Sequence, residues 1–316
     1  MKNSNVSLST NNFIIVTGLT RSGKTAVTPL ISSMKNCEQF FFNTIVENLT
    51  ILNYLKLIDD KITKNLIIRA VNEEIFDKIY GRNLNNKKHD LTNIKKYKGE
   101  IDYKKRILME KSDFFTKKIL KKNCFPILFH EALINLKLLE NVFQSPKIIN
   151  ISRHPVDTVN SWIKNDYVDE YFKSPKSNVI TINYKDKVLP FFLKGCESKL
   201  KFCKSKEDKI VLMQYNLKNL FEKNYKSSIK KNNIILIKFD DFLLETNKSL
   251  DKVSRKFNLK LSKNINQALK DQNCPRKIDY STRLRIKKRI LKNLSPKFRD
   301  IFEKMIYQYE NNLKFF

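Results

Sequence analysis

Residues 12–25 read Asn-Phe-Ile-Ile-Val-Thr-Gly-Leu-Thr-Arg-Ser-Gly-Lys-Thr, a short apolar run that leads directly into a glycine loop. The apolar run is typical of a buried β-strand, and the apolar spacing from Val27 to Met34 predicts a helix after the loop. Between them, Gly18 to Thr25 match the pattern Gly-x-x-x-x-Gly-Lys-Thr. In such a loop the backbone N–H groups and the following helix terminus face a phosphate, so we predict a phosphate-binding loop here.

A second strand-and-helix unit occupies residues 146–162, which read Pro-Lys-Ile-Ile-Asn-Ile-Ser-Arg-His-Pro-Val-Asp-Thr-Val-Asn-Ser-Trp. Pro155 suits the first helical position, because its missing N–H needs no partner there. Arg153 precedes the helix, at the end of the strand, and Ser161 follows eight residues later. A guanidinium at a strand end can hold a phosphate with two hydrogen bonds, whereas a salt bridge to Asp157 would give it a purely structural role.

The remaining apolar segments extend the same alternation of strands and helices. Residues 125–129 predict a strand that ends at His130-Glu131, and residues 234–239 predict one that ends at Asp240-Asp241. Residues 247–257 and the stretch after Ser295 predict helices. This alternation indicates an α/β fold of three layers, with a central, mainly parallel sheet flanked by helices.

Two charged stretches, residues 72–122 and 164–230, have no clear strand pattern. We predict that both are helical insertions that cover the site and shape a pocket for a second substrate. No repeat or linker separates them from the rest, so we predict one domain that spans residues 1–316.

The formal net charge of +30 raises the possibility of a module that binds nucleic acid or another polyanion. Only 11 of the 62 basic residues are arginine, and they form no Arg-rich tract or aromatic-interleaved stripe. We therefore attribute the charge to biased composition together with a general attraction for anionic ligands, and we predict no nucleic-acid partner.

Composition also bears on metals and membranes. The five cysteines form no Cys-x-x-Cys pair and there are only three histidines, so we predict no metal site. No apolar run is long enough to span a bilayer, and residues 1–12 lack the apolar core of a signal peptide. We therefore predict a cytoplasmic protein without a transmembrane segment.

Together the two strand-and-helix units resemble the sulfotransferases that use 3′-phosphoadenylyl sulfate (PAPS), a family with a P-loop NTPase-like fold. That family has a strand, an Arg-x-Pro-x-Asp turn and a helical Ser eight residues after the Arg, which is the spacing of Arg153 and Ser161. The resemblance implies that these two residues bind the 3′-phosphate of the cofactor.

The glycine loop resembles the family's 5′-phosphosulfate segment, a basic residue followed by Ser-Gly-Thr-Thr. Here Arg21 takes the place of the catalytic lysine, and Lys24 stands where the family has Thr. Phe239 resembles the aromatic residue that contacts adenine, and Arg276 resembles a late Arg-Lys segment on the 3′-phosphate, without its glycine. The cofactor-binding residues implied by the resemblance are Gly18, Arg21, Ser22, Gly23, Lys24, Thr25, Ala26, Arg153, Ser161, Phe239 and Arg276.

The resemblance implies in-line sulfuryl transfer from PAPS to a hydroxyl or amine of an acceptor such as a glycan, a lipid head group or a small metabolite. His130 would be the general base, since an imidazole titrates near neutral pH, and Glu131 is the alternative. Arg21 and Lys24 would neutralise charge on the oxygens of the transferred group.

Lys24 also keeps a rival function open. A kinase or nucleotide hydrolase that uses Mg-ATP has the same lysine-containing loop, and it needs an aspartate at the end of another strand to hold magnesium. Asp240 and Asp241 are the candidates for that aspartate.

Overall fold

The computed structural model describes residues 6–173 and 179–311 of the chain. Its strands are β1 (Phe13–Gly18), β2 (Phe125–His130), β3 (Lys147–Ser152), β4 (Thr181–Tyr184), β5 (Lys187–Pro190) and β6 (Ile234–Lys238). In this part of the chain, four strands form a parallel sheet in the order β2-β1-β3-β6, and β4 and β5 form a separate antiparallel hairpin.

Helices cover both faces of the parallel sheet. Their bounds are α1 (Lys24–Ser32), α2 (Thr44–Tyr54), α3 (Asp60–Tyr80), α4 (Tyr103–Ile107), α5 (Asp113–Lys122), α6 (Leu136–Phe143), α7 (Pro155–Lys164), α8 (Tyr167–Lys173), α9 (Lys206–Ser227), α10 (Phe239–Leu244), α11 (Thr246–Phe257), α12 (Ile265–Asp271), α13 (Tyr280–Asn293) and α14 (Pro296–Glu310).

Alternate residues of β1 enter two separate hydrophobic cores. Phe13 and Ile15 pack on one face with residues of α2, α3, α6, α7, α9 and α14. Ile14 and Val16 pack on the other face with residues of α1, α10, α11 and α12. Because both faces of the strand are buried, its sequence is continuously apolar. The predicted three-layer α/β fold with a parallel sheet is confirmed.

The outer edge of β2 is covered by residues 36–41. This segment runs parallel to the strand, where Cys37 pairs with Cys124 and Phe41 pairs with Ile127. Glu38 lies within the segment and is fully buried. Two guanidinium nitrogens of Arg106 donate to its two carboxylate oxygens, each at 2.8 Å, so α4 is tied to the sheet edge by an ion pair.

The two long charged stretches differ in structure. Residues 72–122 comprise the end of α3, irregular chain, α4 and α5. Residues 164–230 include α8 and α9 but also the β4–β5 hairpin, which a helical pattern does not anticipate. The hairpin turns at Lys185, whose φ of 51° is left-handed, and residues 174–178 of this stretch lie outside the described residues.

In the two described ranges, no helix combines the length and the apolar character that crossing a bilayer requires.

The buried Arg106–Glu38 pair makes a stability prediction. Arg106→Met leaves the Glu38 carboxylate buried without its cation, so the free energy of unfolding should fall by about 3–5 kcal/mol. Urea denaturation followed by circular dichroism measures this change. Arg82→Met is the control, because Arg82 is 58% exposed in its 3.6 Å pair with Asp77, and the change there should be about 0–1 kcal/mol. Equal effects of the two substitutions would contradict the prediction.

Candidate functional site

Two glycines allow the loop to pass close to neighbouring groups. Gly18 has a φ of 149°, and a Cβ there would lie 2.2 Å from the carbonyl oxygen of Ile151. Gly23 has a φ of 97°, and a Cβ there would lie 2.5 Å from the ring of Phe239. Both positions therefore exclude other residues on steric as well as conformational grounds. The loop therefore packs closely against β3 on one side and against the first residue of α10 on the other.

Hydrogen bonds to two neighbouring segments, and one bond within the loop itself, hold the loop. The indole Nε1 of Trp162 donates to the carbonyl oxygen of Thr20 at 3.0 Å, and the Thr20 N–H donates to Glu131 Oε1 at 2.5 Å. The Ser22 N–H donates to the carbonyl oxygen of Leu19 at 2.9 Å. The helix α1 then begins at Lys24 without a side-chain cap, so its first N–H groups and its dipole point toward the loop.

Arg21 joins the two halves of the site that the sequence predicts. Its Nε donates to Ser161 Oγ at 2.9 Å, and its carbonyl oxygen accepts from Arg153 Nη1 at 3.2 Å. Arg21 itself is an exposed residue with a φ of 70°. The loop after β1 and the turn after β3 therefore meet at one point, although they are more than 130 residues apart in the chain.

The Arg153 guanidinium has several neighbours. It lies over the ring of Phe239, 5.6 Å from the centroid, and its Nε is 3.9 Å from Asp157 Oδ2. That Nε is buried and donates no hydrogen bond to the described residues. Burial lowers the pKa of Arg153, and Asp157 partly offsets this effect. The structural alternative for Arg153, a salt bridge with Asp157, is thus present only as a long contact.

Asp157 is instead held by Arg283, a residue that the sequence patterns did not indicate. Arg283 Nη2 donates to Asp157 Oδ2 at 2.7 Å, and its two terminal nitrogens donate to Asp240 at 2.6 and 3.0 Å. Its side chain is 11% exposed. Arg283 therefore links α13 to the turn that carries Arg153 and to the helix that begins with Phe239.

Lys24 lies beneath the loop with 2% exposure. Its Nζ donates to the carbonyl oxygen of Leu19 at 3.0 Å. Burial lowers the pKa of Lys24, while the nearby carboxylates of Glu131 and Glu47 oppose that effect. The ammonium group is thus enclosed by the loop and by two acidic residues.

His130 ends β2 and contacts Glu47 of α2, a second residue that the sequence patterns missed. Glu47 Oε1 accepts the His130 backbone N–H at 2.5 Å and lies 3.1 Å from His130 Nδ1. Burial lowers the pKa of His130 to about 4, and Lys24 adds to that effect. Burial raises the pKa of Glu47 to about 8. Contrary to the expectation for an ordinary imidazole, His130 therefore does not titrate near neutral pH, and at that pH the pair is a neutral imidazole beside a protonated carboxyl group.

The remaining predicted residues lie in different surroundings. Thr25 is exposed and Ala26 is half-buried in the first turn of α1. The Ser22 hydroxyl is buried and has no partner among the described residues. Arg276 lies on the surface after α12, where its backbone N–H donates to the Leu243 carbonyl oxygen at 2.9 Å. The described contacts do not join Arg276 to the glycine loop.

Aromatic side chains border the site on the α7–α8 side. Tyr167 and Tyr171 stack with ring centroids 5.0 Å apart, and Trp162 meets both rings edge-on. Burial raises the pKa of Tyr167, and both Arg21 and Glu131 are close enough to affect it. This aromatic cluster therefore lies beside the loop.

Among residues 6–173 and 179–311, no three His, Cys, Asp or Glu side chains are grouped as a metal site requires.

No protein-family model and no curated protein matches the chain. Solved structures that are similar to it include the sulfotransferase domain of the curacin biosynthetic pathway, with 10% identity and a TM-score of 0.44 over 94% of this chain and 96% of that one. Sulfotransferase STF9 from Mycobacterium avium is similar with 10% identity and a TM-score of 0.40, over 92% and 78% of the two chains. Retinol dehydratase, solved with androsterone and the inactive cofactor PAP, has 15% identity and a TM-score of 0.33 over 97% and 80%.

Proposed function

We propose that this chain is a sulfotransferase that moves a sulfuryl group from PAPS to an acceptor hydroxyl or amine. The observation that carries the proposal is the contact of Arg21 with both Arg153 and Ser161. A phosphate-type loop and a second anion-binding pair are adjacent there, which suits a nucleotide with anionic groups at both its 3′ and 5′ positions.

The residues fit such a cofactor. Arg153 Nε and Ser22 Oγ are buried polar atoms without partners in the described part of the chain, and such atoms usually have one. The 3′-phosphate would bind Arg153 and Ser161, and the 5′ group would bind the backbone N–H groups of the loop, Lys24 and Thr25. Phe239 would offer its ring to the adenine. When bound, PAPS supplies the activated sulfuryl group.

His130 is the stronger candidate for the general base. Glu47 Oε1 already accepts the backbone N–H of His130, so the imidazole Nδ1 is best placed as a second donor to the same oxygen. That tautomer leaves Nε2 with a free lone pair, which is the form that accepts a proton from an acceptor hydroxyl. Glu131 accepts the Thr20 N–H and has its own task in holding the loop.

The kinase alternative rests on Lys24, and one contact weighs against it. Asp240, a candidate for holding magnesium, is bound by both terminal nitrogens of Arg283. A carboxylate that accepts two hydrogen bonds from an arginine is a poor ligand for a metal ion, because the cation would have to displace the guanidinium. The Arg283 contact thus weighs against Asp240 as the magnesium ligand of a kinase.

The acceptor is proposed to lie against Tyr167, the half-buried member of the aromatic cluster, since Trp162 and Tyr171 are buried. An accessible aromatic ring beside Arg21 and Glu131 suits a ring-bearing hydroxyl compound, and a carbohydrate is one such compound.

Ligand binding tests the cofactor assignment. In titration calorimetry, we expect adenosine 3′,5′-bisphosphate to bind more tightly than adenosine 5′-phosphate or Mg-ATP. Arg153→Gln should lower the affinity for the bisphosphate by about 10–100-fold, because a charged hydrogen bond to the 3′-phosphate is lost. The affinity for the monophosphate should change little. Arg69→Gln, an exposed residue of α3, is the charge-matched control. Preference for Mg-ATP would support the kinase, and indifference to Arg153→Gln would support unspecific polyanion binding.

Turnover tests the base assignment. His130→Ala should lower PAPS-dependent sulfation of a pooled panel of glycan, phenol and amine acceptors by about 10²–10⁴-fold, while bisphosphate affinity persists. His89→Ala, which changes an exposed histidine, should leave turnover unchanged. A larger loss in Glu131→Gln than in His130→Ala, at unchanged bisphosphate affinity, would transfer the role to Glu131.

The raised pKa of Glu47 predicts a pH-dependent stability. Below about pH 8 the folded protein keeps a proton on Glu47 that the unfolded chain, with an ordinary pKa of 4.5, releases. Stability from this group therefore falls as the pH rises to about 8. The melting temperature of Glu47→Gln, relative to that of the unmodified protein, should rise between about pH 6.5 and pH 8. Glu303→Gln, at an exposed position, should show no such trend.

A further inference from the structure

Large apolar side chains are concentrated on the surface between α4 and α5. Leu108 is 85% exposed and Phe114 is 78% exposed, and only Ile229 exceeds them among the large apolar side chains of the described residues. Ile107, at 57%, and Met109, at 40%, lie in the same eight-residue stretch. We call these four residues the apolar patch. Apolar side chains clustered at such exposure usually mark a surface that another molecule covers.

The patch cannot fold into the core, because both flanking helices are fixed. On the α4 side, Arg106 bonds to both oxygens of Glu38 and to the carbonyl oxygen of Lys78. A Cβ on Gly81 would lie 2.8 Å from the Ile107 nitrogen, so the end of α3 packs tightly against α4. On the α5 side, the hydroxyl groups of Thr116 and Tyr80 are hydrogen-bonded. The protein thus presents the patch on a rigid support.

The surroundings of the patch are strongly basic. Within residues 103–122 the exposed acidic residues are Glu110 and Asp113. The exposed lysines in the same range are Lys104, Lys105, Lys111, Lys117, Lys118, Lys121 and Lys122. Seven positive charges against two negative ones leave a local excess that favours an anionic partner.

We propose that the apolar patch and its lysines dock the chain on the surface of an anionic lipid bilayer. Side chains that protrude from the surface fit a fluid interface, into which they can sink, whereas a protein partner would need a matching cavity for each. The long lysine stems can lie along the same interface while their ammonium groups meet anionic head groups.

Docking of this kind leaves the nucleotide site accessible. The patch begins directly after Arg106, which bonds to Glu38, and the Glu38 N–H donates to the carbonyl oxygen of Cys124 immediately before β2. The α4 side of the patch therefore lies near the amino end of β2, and the glycine loop lies beside the other end of that strand. Lipid binding can be tested separately from any catalytic activity.

Sedimentation with vesicles tests the proposal with the full-length chain at about 0.15 M salt. We expect it to bind vesicles of phosphatidylcholine with about 30 mol% phosphatidylserine and to bind pure phosphatidylcholine far less. The double variant Leu108→Ser, Phe114→Ser should lose at least about tenfold in affinity for the anionic vesicles, because two apolar anchors are removed at constant charge. Leu57→Ser, Ile229→Ser removes two apolar residues elsewhere, which are 68% and 88% exposed, and should bind like the unmodified protein.

A charge series completes the test. Lys117→Gln, Lys118→Gln should weaken vesicle binding more than Lys252→Gln, Lys256→Gln, which removes two exposed lysines of α11. Circular dichroism and thermal melting establish that each variant is folded. Equal binding by the two serine variants, or equal binding by the two lysine variants, would overturn the proposal in favour of distributed charge. The proposal is also overturned if the unmodified protein does not bind anionic vesicles. A dimer that dissociates in the Leu108→Ser, Phe114→Ser variant would overturn it as well.

Discussion

The backbone hydrogen bonds that align β1 between β2 and β3 determine where every candidate catalytic group lies. In the parallel register, Gly18 is opposite His130 and Thr17 is opposite Asn150, so both neighbouring strands end beside the glycine loop. The candidate general base His130 therefore comes from one neighbour and Arg153 from the other. A one-residue slip of either strand would turn its side chains to the opposite face of the sheet and take its group away from the loop.

The same alignment brings three cations together, and their mutual repulsion must be offset within the protein. Lys24 donates to a carbonyl oxygen and has the carboxylate of Glu131 nearby. Arg21 Nε donates to the Ser161 hydroxyl group, and the Arg153 guanidinium lies over the ring of Phe239. Arg283 holds Asp157 and so keeps its carboxylate from pairing closely with Arg153. Positive charge thus remains available at the loop for an anionic ligand, which would relieve the repulsion when it binds.

Local sequence patterns were enough to predict the fold, because strands buried on both faces are continuously apolar and the glycine loop has a fixed spacing. They could not indicate Glu47 or Arg283. Glu47 reaches His130 through the packing of α2, and nothing in its own neighbourhood marks it as different from other acidic residues. Arg283 belongs to a helix rich in Lys and Arg, where the overall composition gives no sign of which arginine holds Asp157 and Asp240. The lysine-rich sequence around the β4–β5 hairpin likewise gave no strand pattern from which the hairpin could be predicted.

The hydrogen bond between the Trp162 indole and the Thr20 carbonyl oxygen couples the intrinsic fluorescence of the protein to the glycine loop. Trp162 is the only tryptophan in the sequence, and it is 1% exposed. Its indole N–H ends on the backbone of the glycine loop, and its ring touches the tyrosines beside it. Any rearrangement of the loop changes the polarity and hydrogen bonding around this single chromophore. The intrinsic fluorescence of the protein is therefore an internal reporter for one loop, free of background from other indoles.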